Sequence, residues 1–194
     1  MMTSTFLTHA LKEWSVAINA LETGQTIMLL RKGGIREEGG RFQVDHTQVL
    51  LFPTYEHQNA ELLKDSYGTQ VKTVESGWHP LEIKISSWAE ITDILPIFTA
   101  DNLASLFPFH IWNQRFIQER LKWKPRQPLY ILLLRVYLFS TPFLIPYNSK
   151  YGGCKSWISL EQSITLDWQN PVMGESDYLN QVSSIRQILN KFVK

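Results

Sequence analysis

Two short stretches crowd chemically capable side chains at the end of an apolar run: Arg31-Lys32-Gly33-Gly34 and Pro53-Thr54-Tyr55-Glu56-His57-Gln58. The first sets two cations beside a glycine pair. Backbone N–H groups there can approach a phosphate closely, and Arg31 can contact it in bidentate fashion. The spelling is neither a P-loop nor a dinucleotide fingerprint, since GxxxxGK and GxGxxG are both absent. Its plain alternative is a solvated hairpin turn in which Arg31 and Lys32 pair with Glu37 and Glu38. In the second stretch, Glu56 and His57 can serve as general acid and base or supply two metal ligands. Thr54 is accounted for as the cap of a following helix. On a helix, neighbouring residues point about 100° apart, so one of Glu56 and His57 would support the other.

Three further clusters carry weaker signals. Arg120, Lys122, Lys124 and Arg126 fall within seven residues and interleave with Trp123, a pattern suited to phosphate contacts with base stacking. A basic helix end meeting its own dipole explains the same residues. Glu82-Ile83-Lys84 has the spelling of some magnesium-dependent nucleases, with Asp65 or Asp45 as the acidic partner. Alternation with Leu81, Ile83 and Ile85 explains it equally as the wet face of a strand. Cys154 follows Gly152-Gly153 and needs a base such as His57 or His110 to act as a nucleophile; otherwise it is a small apolar residue beside a tight turn. The five histidines show no metal-ligand spacing, and no cofactor is implied.

These residues need a scaffold. Leu7, Ala10, Leu11, Trp14, Ala17, Ile18 and Leu21 recur at helical spacing, so a first helix is predicted, capped by Ser4 or Thr5 and ended by Gly24. Strands are predicted over 26–32, 42–44 and 48–52, with Pro53 ending the last of these. A helix is predicted over 56–64 with Leu62 and Leu63 inward, a strand at 81–85, and a short helix over 88–95 closed by Pro96. Asp101 caps a turn before Pro108, and 111–121 reads as a helix. The run 129–139 is apolar on both faces, as in a central strand. The segment 140–156 reads as a long loop and 156–160 as a further strand. Tyr178, Leu179, Val182, Ile185, Leu189 and Phe192 mark a terminal amphipathic helix capped by Ser176. Without a regular βαβ rhythm, the class is α+β: one domain over 1–194, with a mixed, partly closed, PUA-like sheet flanked by N- and C-terminal amphipathic helices.

Composition narrows the function classes. A chain of 194 residues, 44% apolar and 19% charged, is globular in character, and a net charge of +1 gives no global pull toward nucleic acid or membrane. The apolar runs are too short to span a bilayer. The lone Cys154 and the absence of a signal-peptide pattern at the start fit a cytoplasmic protein.

The strings ALKEW (10–14), LLRKGGI (29–35), LFPTYEHQ (51–58), RLKWKPRQPLYILLLRVY (120–137) and GGCKSWISL (152–160) together resemble the uncharacterised bacterial family designated domain of unknown function 1802. That family brings no established activity or catalytic residues. Some of its architectures are associated with restriction-endonuclease-like domains, which implies a link to DNA restriction or processing. The leading expectation is a module binding nucleic acid, a nucleotide or a related anion. Arg31, Lys32, Gly33, Gly34, Arg120, Lys122 and Lys124 would meet phosphate and Trp123 would stack. The alternatives are a metal-dependent nuclease or phosphoesterase using Glu56 and His57, and a subunit that binds a protein partner through exposed tryptophans.

Overall fold

The computed structural model describes residues 6–32, 44–166, 168 and 170–191. Among the described residues six strands form one mixed sheet: β1 (Phe6–Trp14), β2 (Met28–Arg31), β3 (Gln48–Thr54), β4 (Glu82–Ile97), β5 (Leu129–Pro146) and β6 (Trp157–Thr165). Their order is β2-β5-β4-β3-β1-β6. Only β1 and β3 run parallel; the other neighbours are antiparallel. Helices α1 (Ser15–Glu22), α2 (Asp65–Gly68), α3 (Ala100–Ala104), α4 (Gln114–Lys122) and α5 (Glu175–Asn190) connect or follow the strands.

The sheet is buried on both faces. Val49 and Leu51 of β3 join the larger core beneath α1, α4 and α5, while Leu50 and Phe52 join a second core built almost wholly from strands. Successive side chains of a strand point to opposite faces, so this alternation requires apolar cover on each side. The long β4–β5 ladder shifts register between Ile85 and Ser87 and again between Ile91 and Asp93. Such bulges bend a strand and increase its twist.

One contact measures the resulting curl. Between β2 and β1 lie β5, β4 and β3, about 19 Å of flat sheet from one to the other, farther than an Arg and a Glu can jointly span. Yet Arg31 at the end of β2 meets Glu13 of β1 at 2.6 Å. The sheet is therefore rolled toward itself without closing, leaving β2 and β6 as edges among the described residues.

The α+β class and the partly closed sheet agree with the sequence; several elements do not. The helix predicted from Leu7 is strand as far as Trp14, and only Ser15–Glu22 is helical. β1 lies between β3 and β6 and buries Ala10, Leu11, Lys12 and Glu13 consecutively, a pattern that imitates helical spacing. The helix predicted over 88–95 is part of β4, where Ser87, Trp88 and Ala89 are buried in succession after the bulge at Ile85/Ser87 and interrupt the two-residue alternation. The helix predicted over 56–64 is a turn followed by one 3-10 turn at Ala60–Leu62, capped by Asn59. β3 continues through Pro53 to Thr54 because β4 pairs only as far as Leu50, so the missing N–H costs no ladder bond there. The first part of the loop predicted at 140–156, up to Pro146, is the outer end of β5, and the rest carries one 3-10 turn at Ser149–Tyr151. At α5 the cap is Gly174 rather than Ser176, and Leu179 is exposed. The strand predicted at 42–44, the caps Ser4 and Thr5, and Phe192 fall largely or wholly outside the described residues.

His110 is the polar residue that burial treats most harshly. It is 2% exposed, and neither ring nitrogen has a hydrogen-bond partner of good geometry among the described residues. Burial first, and then the Lys64 ammonium, push its pKa down to about 4, against a weak opposing pull from the Trp112 backbone. The unfolded chain therefore binds a proton that the folded chain refuses between pH 6.5 and about 4. Stability from this group is complete above that window and falls with pH through it, by on the order of 3 kcal/mol. His110→Phe is expected to flatten the loss of urea stability between pH 6.5 and 4. An unchanged pH profile would contradict this assignment.

Candidate functional site

A cavity of about 330 Å³ opens where the rolled sheet brings the ends of β1 and β2 beneath α4. Its wall includes five cationic side chains (Lys12, Arg31, Lys32, Arg120 and Lys155) and two carboxylates, Glu13 and Glu56. Trp14, Trp112, Phe116 and Trp123 provide aromatic surface, and His57, Thr54, Cys154 and Ser156 complete the polar part of the wall.

Each charge is held by a different part of the fold. Glu13 is 6% exposed; one carboxylate oxygen accepts the Trp14 N–H at 2.7 Å, and the other meets Arg31 at 2.6 Å. Lys12, 7% exposed, donates from Nζ to the carbonyls of Tyr151 at 2.8 Å and Gly153 at 3.0 Å, which fixes the glycine turn against the sheet. Lys32 donates to the Arg120 carbonyl at 2.7 Å and thereby caps the last turn of α4. The Arg120 guanidinium lies over the Phe116 ring, 5.1 Å from its centroid.

The cations perturb one another. Burial, then the nearby Arg31, holds Arg120 below its ordinary pKa despite the opposing carboxylates Glu13 and Glu119. Burial and then Arg120 lower Lys32, and burial lowers Lys12 against the pull of Glu56 and Cys154. These are shifts against the charged form, which a bound anion would relieve.

The turn after β3 puts Glu56 and His57 on the same wall, contrary to the divergence expected of a helix. His57 has φ 59°, a left-handed conformation rare for a non-glycine residue, and its side chain is exposed at the cavity. Glu56 accepts the Gly77 N–H at 2.6 Å. Gln58 serves the scaffold instead. Its side-chain oxygen accepts the Val16 N–H at 3.1 Å and the Ser15 hydroxyl at 3.0 Å, capping α1 from across the turn.

The structure thus gathers Arg31, Lys32, Arg120, Trp123, Glu56 and His57 around one cavity and leaves Lys122 and Lys124 off its wall. Lys122 is exposed, and Lys124 has φ 48° with its ammonium 4.7 Å from the Trp123 ring centroid. Gly33 and Gly34, with Glu37 and Glu38, lie outside the described residues. Glu82 and Lys84 are exposed on β4, away from the cavity, with Ile83 buried between them. Cys154 shares the wall with His57, whereas His110 is buried against Phe107 and Trp112. Among the described residues no three His, Cys, Asp or Glu side chains gather as a metal site. No described helix is long and apolar enough to cross a membrane.

Sequence reasoning overlooked Lys12, Glu13, Trp14 and Lys155. Lys12 and Glu13 were visible as two adjacent charges inside an otherwise apolar run, but the predicted helix left them off its apolar face and placed Trp14 on it.

The molecule is an α+β protein with a cationic, aromatic-walled cavity at the mouth of a curled sheet. It belongs to the family described as domain of unknown function DUF1802, whose model matches residues 10–184. No curated protein matches its sequence. Among solved structures, an ASCH protein from Zymomonas mobilis is similar at 9% identity, with a TM-score of 0.48 over 91% of this chain and 93% of that one. A Tyr-to-Phe mutant of the same protein gives 0.47 over 91% and 96%.

If the Glu13 carboxylate sets the cavity, Glu13→Gln keeps its size and removes the charge between Arg31 and Arg120. The expected loss is about 3 kcal/mol of unfolding free energy, the scale of breaking a buried ion pair. A loss below about 1 kcal/mol in urea titrations, the scale of a surface pair, would contradict that role.

Proposed function

We propose that this chain is a nucleotide-recognition module that takes phosphate between Arg31 and Arg120 and seats the attached ring against the tryptophan wall. One observation carries the reading: partly desolvated cations crowd each other around a cavity whose wall, among the described residues, holds five cationic side chains and two carboxylates, one of which, Glu56, accepts a backbone N–H. A phosphate would bring negative charge to these cations, and guanidinium groups meet it with paired hydrogen bonds. The volume falls within the range of roughly 300–1,000 Å³ typical of small-ligand sites. Lys122 and Lys124, off the wall, would contribute only outer electrostatic contacts to a polynucleotide. The chain would act as one unit, and a role in DNA restriction or processing, implied by the family resemblance, would rest on this recognition.

A hydrolytic reading has one observation in its favour: His57 is held in a strained conformation beside Glu56 on the same wall. It predicts phosphodiester turnover that His57→Ala abolishes with the fold intact; turnover surviving that change would remove it.

Calorimetric titration with nucleoside 5′-monophosphates tests the binding reading. Arg120→Ala is expected to weaken binding about ten- to hundredfold, the scale of hydrogen bonds to a charged group, with Lys122→Ala near wild type. Lys32 donates to the backbone carbonyls of Arg120 and Leu121, which the substitution leaves in place, so the helix cap survives it. Equal affinities in wild type and Arg120→Ala would overturn the assignment.

A further inference from the structure

We infer that Trp78, His79 and Tyr147 form a second base-stacking subsite at the cavity rim, so that the ligand is a single-stranded oligonucleotide rather than a free mononucleotide. The inference rests on the nucleotide reading of the cavity and extends it to the class of ligand.

These rings lie outside the cavity wall but are fixed to it. Trp78 stands edge-on to Tyr55, with centroids 5.8 Å apart and planes at 88°. His79 lies parallel to Tyr147 at 3.3 Å and 13°. The segment carrying Trp78 and His79, between α2 and β4, contains neither helix nor strand after Gly68, yet it is tied down by polar bonds. Glu56 of the cavity wall accepts the Gly77 N–H, and the Leu81 carbonyl accepts the Tyr147 N–H at 2.9 Å. Gly77 has φ 83°, a turn geometry that suits glycine.

Burial does not account for the arrangement. Trp78 is 46% exposed and His79 is exposed, so these two rings fill no core, while Tyr147, half-buried against the strand-built core, anchors the platform from below. Ordered, half-wet aromatic rings beside cations are the elements from which single-strand sites are built, because every base presents a face to stack.

The platform also meets the cavity on its other side. The Tyr147 hydroxyl lies so near Gly152 that a Cβ there would stand 2.9 Å from it, and Gly153 and Cys154 continue directly into the wall. Lys155 is exposed on that same wall, and its ammonium gives one hydrogen bond to the Lys150 carbonyl at 3.0 Å. Its other donors are available to a phosphate linking a nucleotide in the cavity to one on the platform.

Calorimetry on the full chain with uridine 5′-monophosphate, hexauridylate, hexathymidylate and a hexamer duplex provides the test. Single-stranded hexamers of either sugar are expected to bind at least tenfold tighter than the monophosphate, since one stacked base contributes roughly five- to hundredfold. Trp78→Ala should cut that gain below threefold and leave monophosphate affinity unchanged, whereas Trp78→Phe should keep most of it. Hexamers no tighter than a monophosphate that does bind would overturn the platform alone, as would a gain surviving both Trp78→Ala and Tyr147→Ala. A duplex binding as tightly as the single strand would also overturn it. No binding of monophosphate or hexamer would overturn the cavity reading together with the platform.

Discussion

The carboxylate of Glu13 is the constraint on which the site depends. It joins the end of β1 to the first peptide of the β1–α1 junction and to Arg31 on β2, with three strands between them in the sheet. A buried carboxylate is tolerated only where its oxygens are occupied, and here the sheet must curl for that to happen. The same curl brings Lys12, Lys32 and Arg120 onto one cavity wall, where a flat sheet would leave an open edge. The bulges in the β4–β5 ladder supply the bend, and the two-sided core holds it.

Around that carboxylate the polar groups divide into those that build the fold and those that face the cavity. Lys12 and Lys32 use their ammonium groups on backbone carbonyls, closing the glycine turn and the end of α4. Gln58 closes α1. Arg120, stacked on Phe116 and crowded by Arg31, is the cation that an incoming anion would relieve most. Positive charge is thus concentrated locally in a chain whose net charge is only +1, so total charge says little about the ligand.

The sequence was legible where polar clusters stood at the ends of apolar runs. Arg31, Glu56, His57, Arg120 and Trp123 stood out as polar or aromatic residues at the ends of apolar runs, and the fold draws them to one wall. Legibility failed at β1. Burial between two strands gives no alternation, and Leu7, Ala10, Leu11 and Trp14 then read as one face of a helix. That single misreading concealed Lys12 and Glu13. It failed again at 88–95, because Ser87, Trp88 and Ala89 are buried in succession after a bulge, and at Trp78 and His79, whose ring neighbours Tyr55 and Tyr147 are remote in sequence. Periodicity records which side of an element is buried; it does not record how far a sheet rolls.

The most direct test of the cavity assignment is a two-dimensional amide and side-chain NMR titration of the full chain with a nucleoside 5′-monophosphate. The account predicts saturable shifts centred on Glu13, Arg31, the Arg120 guanidinium and the Trp123 indole, with Lys122 and Arg126 little affected. Shifts confined to the exposed basic stretch after α4, or none at millimolar ligand, would contradict it.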